Sequence, residues 1–148
     1  MIKVVSKQLA KAINIAAENF KDKYDKSGEP YILHCLKVME GVKHLGEQTM
    51  LCAVLHDILE DCPTITESYL LAEDFTYGQV ATIKMLTHDD NDTYDEYIKK
   101  ISTDKIATAI KLVDLRHNSD ITRLKGVTKR DFNRMEKYHR AFTYLKEC

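Results

Sequence analysis

Apolar side chains recur three and four positions apart along most of the chain, the period that gathers them on one face of a helix. Ile2, Val5, Leu9, Ala12, Ile13 and Ala16 keep this spacing and predict a first helix from about Lys3 to about Phe20. The polar stretch from Lys21 to Glu29 interrupts the pattern. Gly28-Glu29-Pro30 then marks a loop that opens into a second helix near Tyr31, expected to reach about Gly46. A third helix is expected from near Thr49, carrying Leu51, Val54, Leu55, Ile58 and Leu59, until Pro63 disfavours helix at the residue before it. Thr64, with Glu67 three positions on, reads as a capping box for a short helix. Further helical patterns cover roughly Tyr77 to Leu86, Thr93 to Ile101, Asp104 to Ile121 and Lys129 to Leu145, separated by polar loops such as His88-Asp89-Asp90-Asn91-Asp92. No repeat, low-complexity tract or interdomain linker interrupts them. The expectation is an all-α helical bundle in which residues 1–148 form a single domain.

Composition narrows this further. Five glycines and two prolines are too few for the many tight turns of a sandwich or barrel. A hydrophobic content of 44% with 30% charged residues supplies one core and an ordinary surface. The formal net charge of -1 provides no global field to gather nucleic acid or an anionic membrane, so any anion site has to be built locally. No run approaches the roughly 20 apolar residues of a membrane span, which leads to the expectation of a cytoplasmic protein with a small-molecule partner, no nucleic acid and no membrane. Cys35, Cys52, Cys62 and Cys148 form no C-x-x-C pair and read as reduced, structural thiols.

The chemistry concentrates in the third expected helix. With His56 at zero on a helical wheel, Glu60 falls at about 40°, Asp57 at about 100° and Asp61 at about 140°, while the aliphatic residues occupy about 160° to 300°. Adjacent His and Asp can both reach a cation, and carboxylates one turn later can hold a water or accept a proton. The plainer alternative is an acidic, solvated helix face. Asp114 adds support, because Ile106, Ile110, Val113, His117 and Ile121 define a buried stripe with Asp114 at its edge, and a buried carboxylate needs a cation or several hydrogen bonds. His34 lies one turn into a helix whose Leu33, Leu36 and Met39 look like packing residues; alone it reads as a satisfied core histidine.

The order His34, His56-Asp57, Asp114, with Glu60-Asp61 following the pair, resembles the HD superfamily, in which a mixed histidine and aspartate set binds a divalent metal. Three segments are similar to the signatures of the RelA/SpoT-type hydrolase domain: Ser27-Gly28-Glu29-Pro30-Tyr31-Ile32-Leu33-His34, His56-Asp57-Ile58-Leu59-Glu60-Asp61 and Lys111-Leu112-Val113-Asp114-Leu115-Arg116-His117-Asn118. The resemblance covers roughly residues 5 to 145. It implies His34, His56, Asp57 and Asp114 as metal ligands and Glu60 and Asp61 as catalytic carboxylates. It further implies Lys26 and Ser27 as contacts to substrate phosphate or sugar, and Asn118 as part of the nucleotide pocket. Members of the family remove the 3′-pyrophosphate from guanosine tetra- and pentaphosphate, usually with manganese. Two imidazoles and two carboxylates suit that chemistry as a site of intermediate hardness, with manganese the first choice and iron, cobalt, zinc or magnesium the alternatives.

The chain also departs from the family. Asp25 stands where an arginine that packs on guanine is usual, Phe20 replaces a histidine that is not a metal ligand, and Cys35 replaces the proline after His34. The segment with Thr87-His88 and Thr93-Tyr94-Asp95-Glu96-Tyr97-Ile98 resembles small stand-alone members. An animal relative acts on NADPH, so the resemblance also admits NADPH or a nucleoside monophosphate as substrate. A non-catalytic nucleotide-sensing module is the alternative of a different class, against which the presence of Glu60 and Asp61 speaks. His44, His88, His117 and His139 read as surface or packing residues. Arg123, Lys125, Lys129, Arg130, Arg134 and Lys137 read as a solvated basic face, with an anionic substrate as the functional alternative. Tyr138 and Tyr144 read as core or boundary residues.

Overall fold

The computed structural model describes the backbone of residues 2–148 and the side chains of residues 7–148, so Ile2 and Val5 of the first apolar stripe lie outside the described side chains. Among the described residues there are nine α-helices: α1 (Ile2–Phe20), α2 (Tyr31–Gly41), α3 (Glu47–Val54), α4 (Ile58–Asp61), α5 (Glu67–Ala72), α6 (Tyr77–Met85), α7 (Tyr94–Ile101), α8 (Lys105–Asn118) and α9 (Lys129–Lys146). Two 3-10 turns, Lys43–Leu45 and Ile121–Arg123, join them, and an isolated bridge pairs Tyr24 with Pro30. The protein is an all-α helical bundle. No described helix is long and apolar enough to cross a membrane.

Side-chain caps start most of the later helices. Thr76, Thr93 and Thr128 each form a capping box with the residue three positions on, and the Asp104 carboxylate accepts from the backbone of Ile106 and Ala107. Three boundaries differ from the sequence-based expectation. The second helix stops at Gly41 instead of Gly46, because the chain tightens into the 3-10 turn and Gly46, at φ 99°, reverses it ahead of α3. The short helix after Pro63 begins at Glu67 under a Thr66 cap, whose hydroxyl accepts from the Tyr69 backbone at 3.1 Å, so Thr64 lies in the preceding turn. The helix carrying Asp114 ends at Asn118 instead of Ile121, and Arg123 Nη1 donates to the His117 carbonyl at 2.8 Å, satisfying one of its terminal acceptors.

Helix α3 is buried on every side from Thr49 to Val54, as a helix apolar all round has to be. Helices α1 and α2 pack against it, and α8 packs on both α2 and α9. This arrangement brings the segments carrying His34, His56-Asp57 and Asp114 to one place. The approach of α2 to α8 depends on Gly41: a Cβ there would lie 2.4 Å from Val113 Cγ1, 3.1 Å from Cγ2 and 3.3 Å from Cβ. Rotation of the stiff valine does not relieve contacts made by all three atoms. Gly41→Ala is therefore expected to lower stability by about 1–3 kcal/mol in urea unfolding.

Candidate functional site

The expected third helix breaks at the His-Asp pair. Leu55 and Asp57 leave helical geometry, at φ -99°, ψ 7° and φ -103°, ψ 2°. The Ala53 carbonyl accepts from both the His56 backbone N, at 3.2 Å, and the His56 ring Nδ1, at 2.7 Å. The continuous wheel that placed four ionisable groups on one arc therefore does not apply: α3 ends, a turn carries His56 and Asp57, and α4 resumes with Glu60 and Asp61. A carbonyl only accepts, so Nδ1 of His56 carries its proton and a neutral ring presents a bare Nε2 lone pair.

His34 is oriented in a related way. Its Nδ1 is 2.7 Å from His117 Nδ1, and the two rings stack with centroids 5.0 Å apart. Burial, with Arg123 and His34 nearby, pushes the His117 pKa down to about 4, which keeps that ring neutral and able to accept from His34. His117, read as a packing residue from the sequence, is thus the residue that sets how His34 faces the cluster. The signal for it was its place three residues after Asp114, on the same helix face.

The structure brings His34, His56, Asp57 and Asp114 together, with one donor atom from each within 4.8 Å of every other. Asp114 Oδ1 lies 2.9 Å from His34 Nε2 and 3.3 Å from His56 Nε2, and Asp57 Oδ2 lies 2.9 Å from His56 Nε2. These are hydrogen-bond lengths, yet both Nε2 atoms are buried without a hydrogen bond of acceptable geometry. Two carboxylates, Asp114 buried and Asp57 part-buried, draw positive charge against two imidazoles. Burial opposes a charged His56, but Asp57 and Asp114 outweigh it and hold its pKa well above the usual imidazole value. A divalent cation answers the same demand, and the orphaned Nε2 atoms with carboxylate oxygens beside them form a donor set that could hold one.

The surrounding groups fix the carboxylates. Tyr31, three residues before His34, donates its hydroxyl to Asp57 Oδ2 and packs on Phe20 and His34. Asp114 accepts from Asn118 Nδ2 on Oδ1 at 2.9 Å and from Lys111 Nζ on Oδ2 at 2.8 Å. Burial alone would raise the Asp114 pKa; Lys111 and the imidazoles hold it well below the usual carboxylate range. Tyr31 and Lys111 were not singled out from the sequence, although both lie inside the quoted segments.

Glu60 and Asp61 stand beside the cluster and line a lobe of about 360 Å³ that also meets Asp57 and Asp114. Glu60 Oε1 accepts from the His88 backbone at 2.8 Å. Half-burial, with Asp57 and Glu60 nearby, pushes the Asp61 pKa up to about 6. Lys26, Ser27 and Asn118 line a second lobe of about 280 Å³, which shares Tyr31, Asn118 and Tyr138 with the first. Ser27 is committed to its own loop, its hydroxyl donating to Asp25 Oδ1 at 2.6 Å. Asp25 also accepts from the Ser27 and Glu29 backbones, and its other oxygen pairs with Arg123 at 2.7 Å. The basic stretch contributes in part: Arg123 and Arg134 line the second lobe and Lys137 the first. Tyr138 packs on the core and also forms a wall of both lobes, more than the boundary role expected of it. Cys35, Cys52 and Cys62 are buried free thiols and Cys148 is exposed.

No protein-family model matches the chain. It is 38% identical over 64 residues to a guanosine-3′,5′-bis(diphosphate) 3′-pyrophosphohydrolase of Aquifex aeolicus, a match covering 42% of this chain and 9% of the relative. It is 28% identical over 117 residues to the enzyme of the same name from Haemophilus influenzae, covering 70% of this chain and 17% of the relative. The chain thus spans less than a fifth of the length of these curated relatives. The two matches support a distant relationship to HD-type hydrolases.

Proposed function

We propose that the chain is a metal-dependent phosphohydrolase of nucleotides, with guanosine 3′,5′-bis(diphosphate) as its substrate and the 3′-diphosphate as the group removed. The convergence of two orphaned imidazole nitrogens on the buried Asp114 carboxylate and the part-buried Asp57 carboxylate carries this reading. The names of the two relatives supply the substrate.

In this reading His34, His56, Asp57 and Asp114 hold the metal, manganese by preference. A divalent ion so held supplies Lewis acidity and a water of lowered pKa. Asp61, with a pKa near neutrality and a place in the lobe, takes the proton of the attacking water; Glu60, held by the His88 backbone, keeps that water oriented. Lys26, Arg123 and Arg134 gather the nucleotide's remaining charge in the second lobe, beside Asn118. One feature favours a second reading, hydrolysis of another phosphorylated nucleotide such as NADPH. Asp25 is locked into its loop and onto Arg123, so position 25 offers a base no cationic surface.

The reading is tested with metal-stripped protein, assayed with and without manganese on guanosine tetraphosphate, NADPH and nucleoside monophosphates. Manganese-dependent pyrophosphate release from the first is expected; phosphate release from another substrate instead moves the specificity, and silence throughout supports a sensor. Asp57→Ala is expected to lose metal and turnover together while keeping its helical circular dichroism, and full activity in that variant would sink the assignment. Because Asp61 acts deprotonated, kcat/KM is expected to rise with pH through an inflection at or below about 6, since a cation held by Asp57 lowers it further. Asp61→Asn is expected to abolish the inflection and lower kcat by about 10²–10⁴-fold.

A further inference from the structure

Lys23 lies in the polar loop after α1 and lines neither lobe, yet three elements meet at it. Its backbone N donates to the Phe20 carbonyl that ends α1, at 3.0 Å, and its carbonyl accepts from the Tyr31 N that opens α2, at 2.8 Å. The Tyr24–Pro30 bridge closes the residues between them into a loop that carries Lys26 and Ser27, with Lys23 at its neck. The Lys23 side chain leaves this loop. Its Nζ lies 5.8 Å from the centroid of the buried Phe20 ring and donates to the Asp61 carbonyl at the end of α4.

Helix α4 is a single turn, too short to hold itself without tertiary support. Ile58 is buried at its start, and Glu60 is held by the His88 backbone. Two backbone bonds close the turn, from Asp61 N to the Asp57 carbonyl at 3.0 Å and from Cys62 N to the Ile58 carbonyl at 3.1 Å. The Asp61 carboxylate accepts no hydrogen bond among the described residues, so its place depends on its backbone, and Lys23 is the side chain bonded to that backbone. The ammonium also satisfies an acceptor left open at a helix C-terminus, where positive charge is favoured. Burial, Asp57 and Glu60 raise the Asp61 pKa, and Lys23 is a cation that opposes them. We propose that Lys23 is a positioning residue for Asp61: it ties the neck of the loop that bears Lys26 to the last residue of α4, so that the loop and the carboxylate that takes the proton of the attacking water share one frame. The proposal rests on the phosphohydrolase reading for the role of Asp61, and it assigns the alignment of that carboxylate to a residue outside both lobes.

Lys23→Met keeps the apolar stem over Phe20 and removes the donor, while Lys23→Arg keeps donor and charge. Assayed with manganese on guanosine tetraphosphate and on NADPH, Lys23→Met is expected to lower kcat about tenfold with KM changed less than about twofold, and Lys23→Arg to recover most of the loss. In the Asp61→Asn background the same Lys23→Met change is expected to cost under about twofold, because the group it positions is already gone. Lys23 is partly exposed, so a folded Lys23→Met is expected, as checked by circular dichroism, with Lys23→Gln as a second variant read in the same way. A kcat equal to wild type in the folded variant, or an equal loss in both backgrounds as general support of the fold would give, overturns the proposal. A wild type that turns over neither substrate strikes the phosphohydrolase reading, and amide exchange then decides the tie. The Asp61 and Cys62 amides are expected to exchange at least about tenfold faster in Lys23→Met than in wild type or Lys23→Arg, and exchange equal to wild type overturns it.

Discussion

The structure turns on the withdrawal of two carboxylates, Asp114 fully and Asp57 for the most part, from water against two imidazoles whose other ring nitrogens are already engaged. Asp57 and Asp114 leave water only if positive charge meets them, since an isolated buried carboxylate would take up a proton instead. Lys111 answers part of that demand on one Asp114 oxygen, and the Tyr31 and Asn118 donors answer part on the others. What remains faces His34 Nε2 and His56 Nε2, both buried and without a hydrogen bond. Such a set specifies its occupant by charge and donor type.

Much of the surrounding architecture serves to hold those four atoms in place. The turn between α3 and α4 exists because the Ala53 carbonyl captures both the backbone and the ring of His56. Helix α2 approaches α8 closely enough for His34 to meet Asp114 because residue 41 has no side chain. His117 and Tyr31, each one helical turn from a member of the cluster, fix the ring of His34 and the carboxylate of Asp57. Glu60 and Asp61 line one lobe beside the cluster and Lys26, Arg123 and Arg134 line another, and the two share Tyr31, Asn118 and Tyr138.

Thr66 caps α5 where Thr64 was expected, but the starts of α6 to α9 were legible from the sequence, because periodicity and local chemistry agree at Thr76, Thr93, Asp104 and Thr128. The break at His56 was not, since the apolar spacing of Val54, Leu55 and Ile58 continues through it and the competing bond comes from a ring buried by tertiary packing. His34, His56, Asp57 and Asp114 were legible as a set from their resemblance to a known arrangement. The supporting residues were hidden for ordinary reasons: His117 falls on an apolar stripe, Tyr31 at a helix start reads as packing, and Lys137 belongs to a basic run that resembles a solvated face. Their roles follow from which helices meet, and one chain read alone does not report that.

The central claim, that these four side chains form one cation site, is tested most directly by anomalous diffraction from crystals of the protein grown with manganese. The account predicts a single strong anomalous peak bonded to His34 Nε2, His56 Nε2, Asp57 and Asp114. A peak elsewhere, or none at the cluster while manganese saturates the protein in solution, contradicts it.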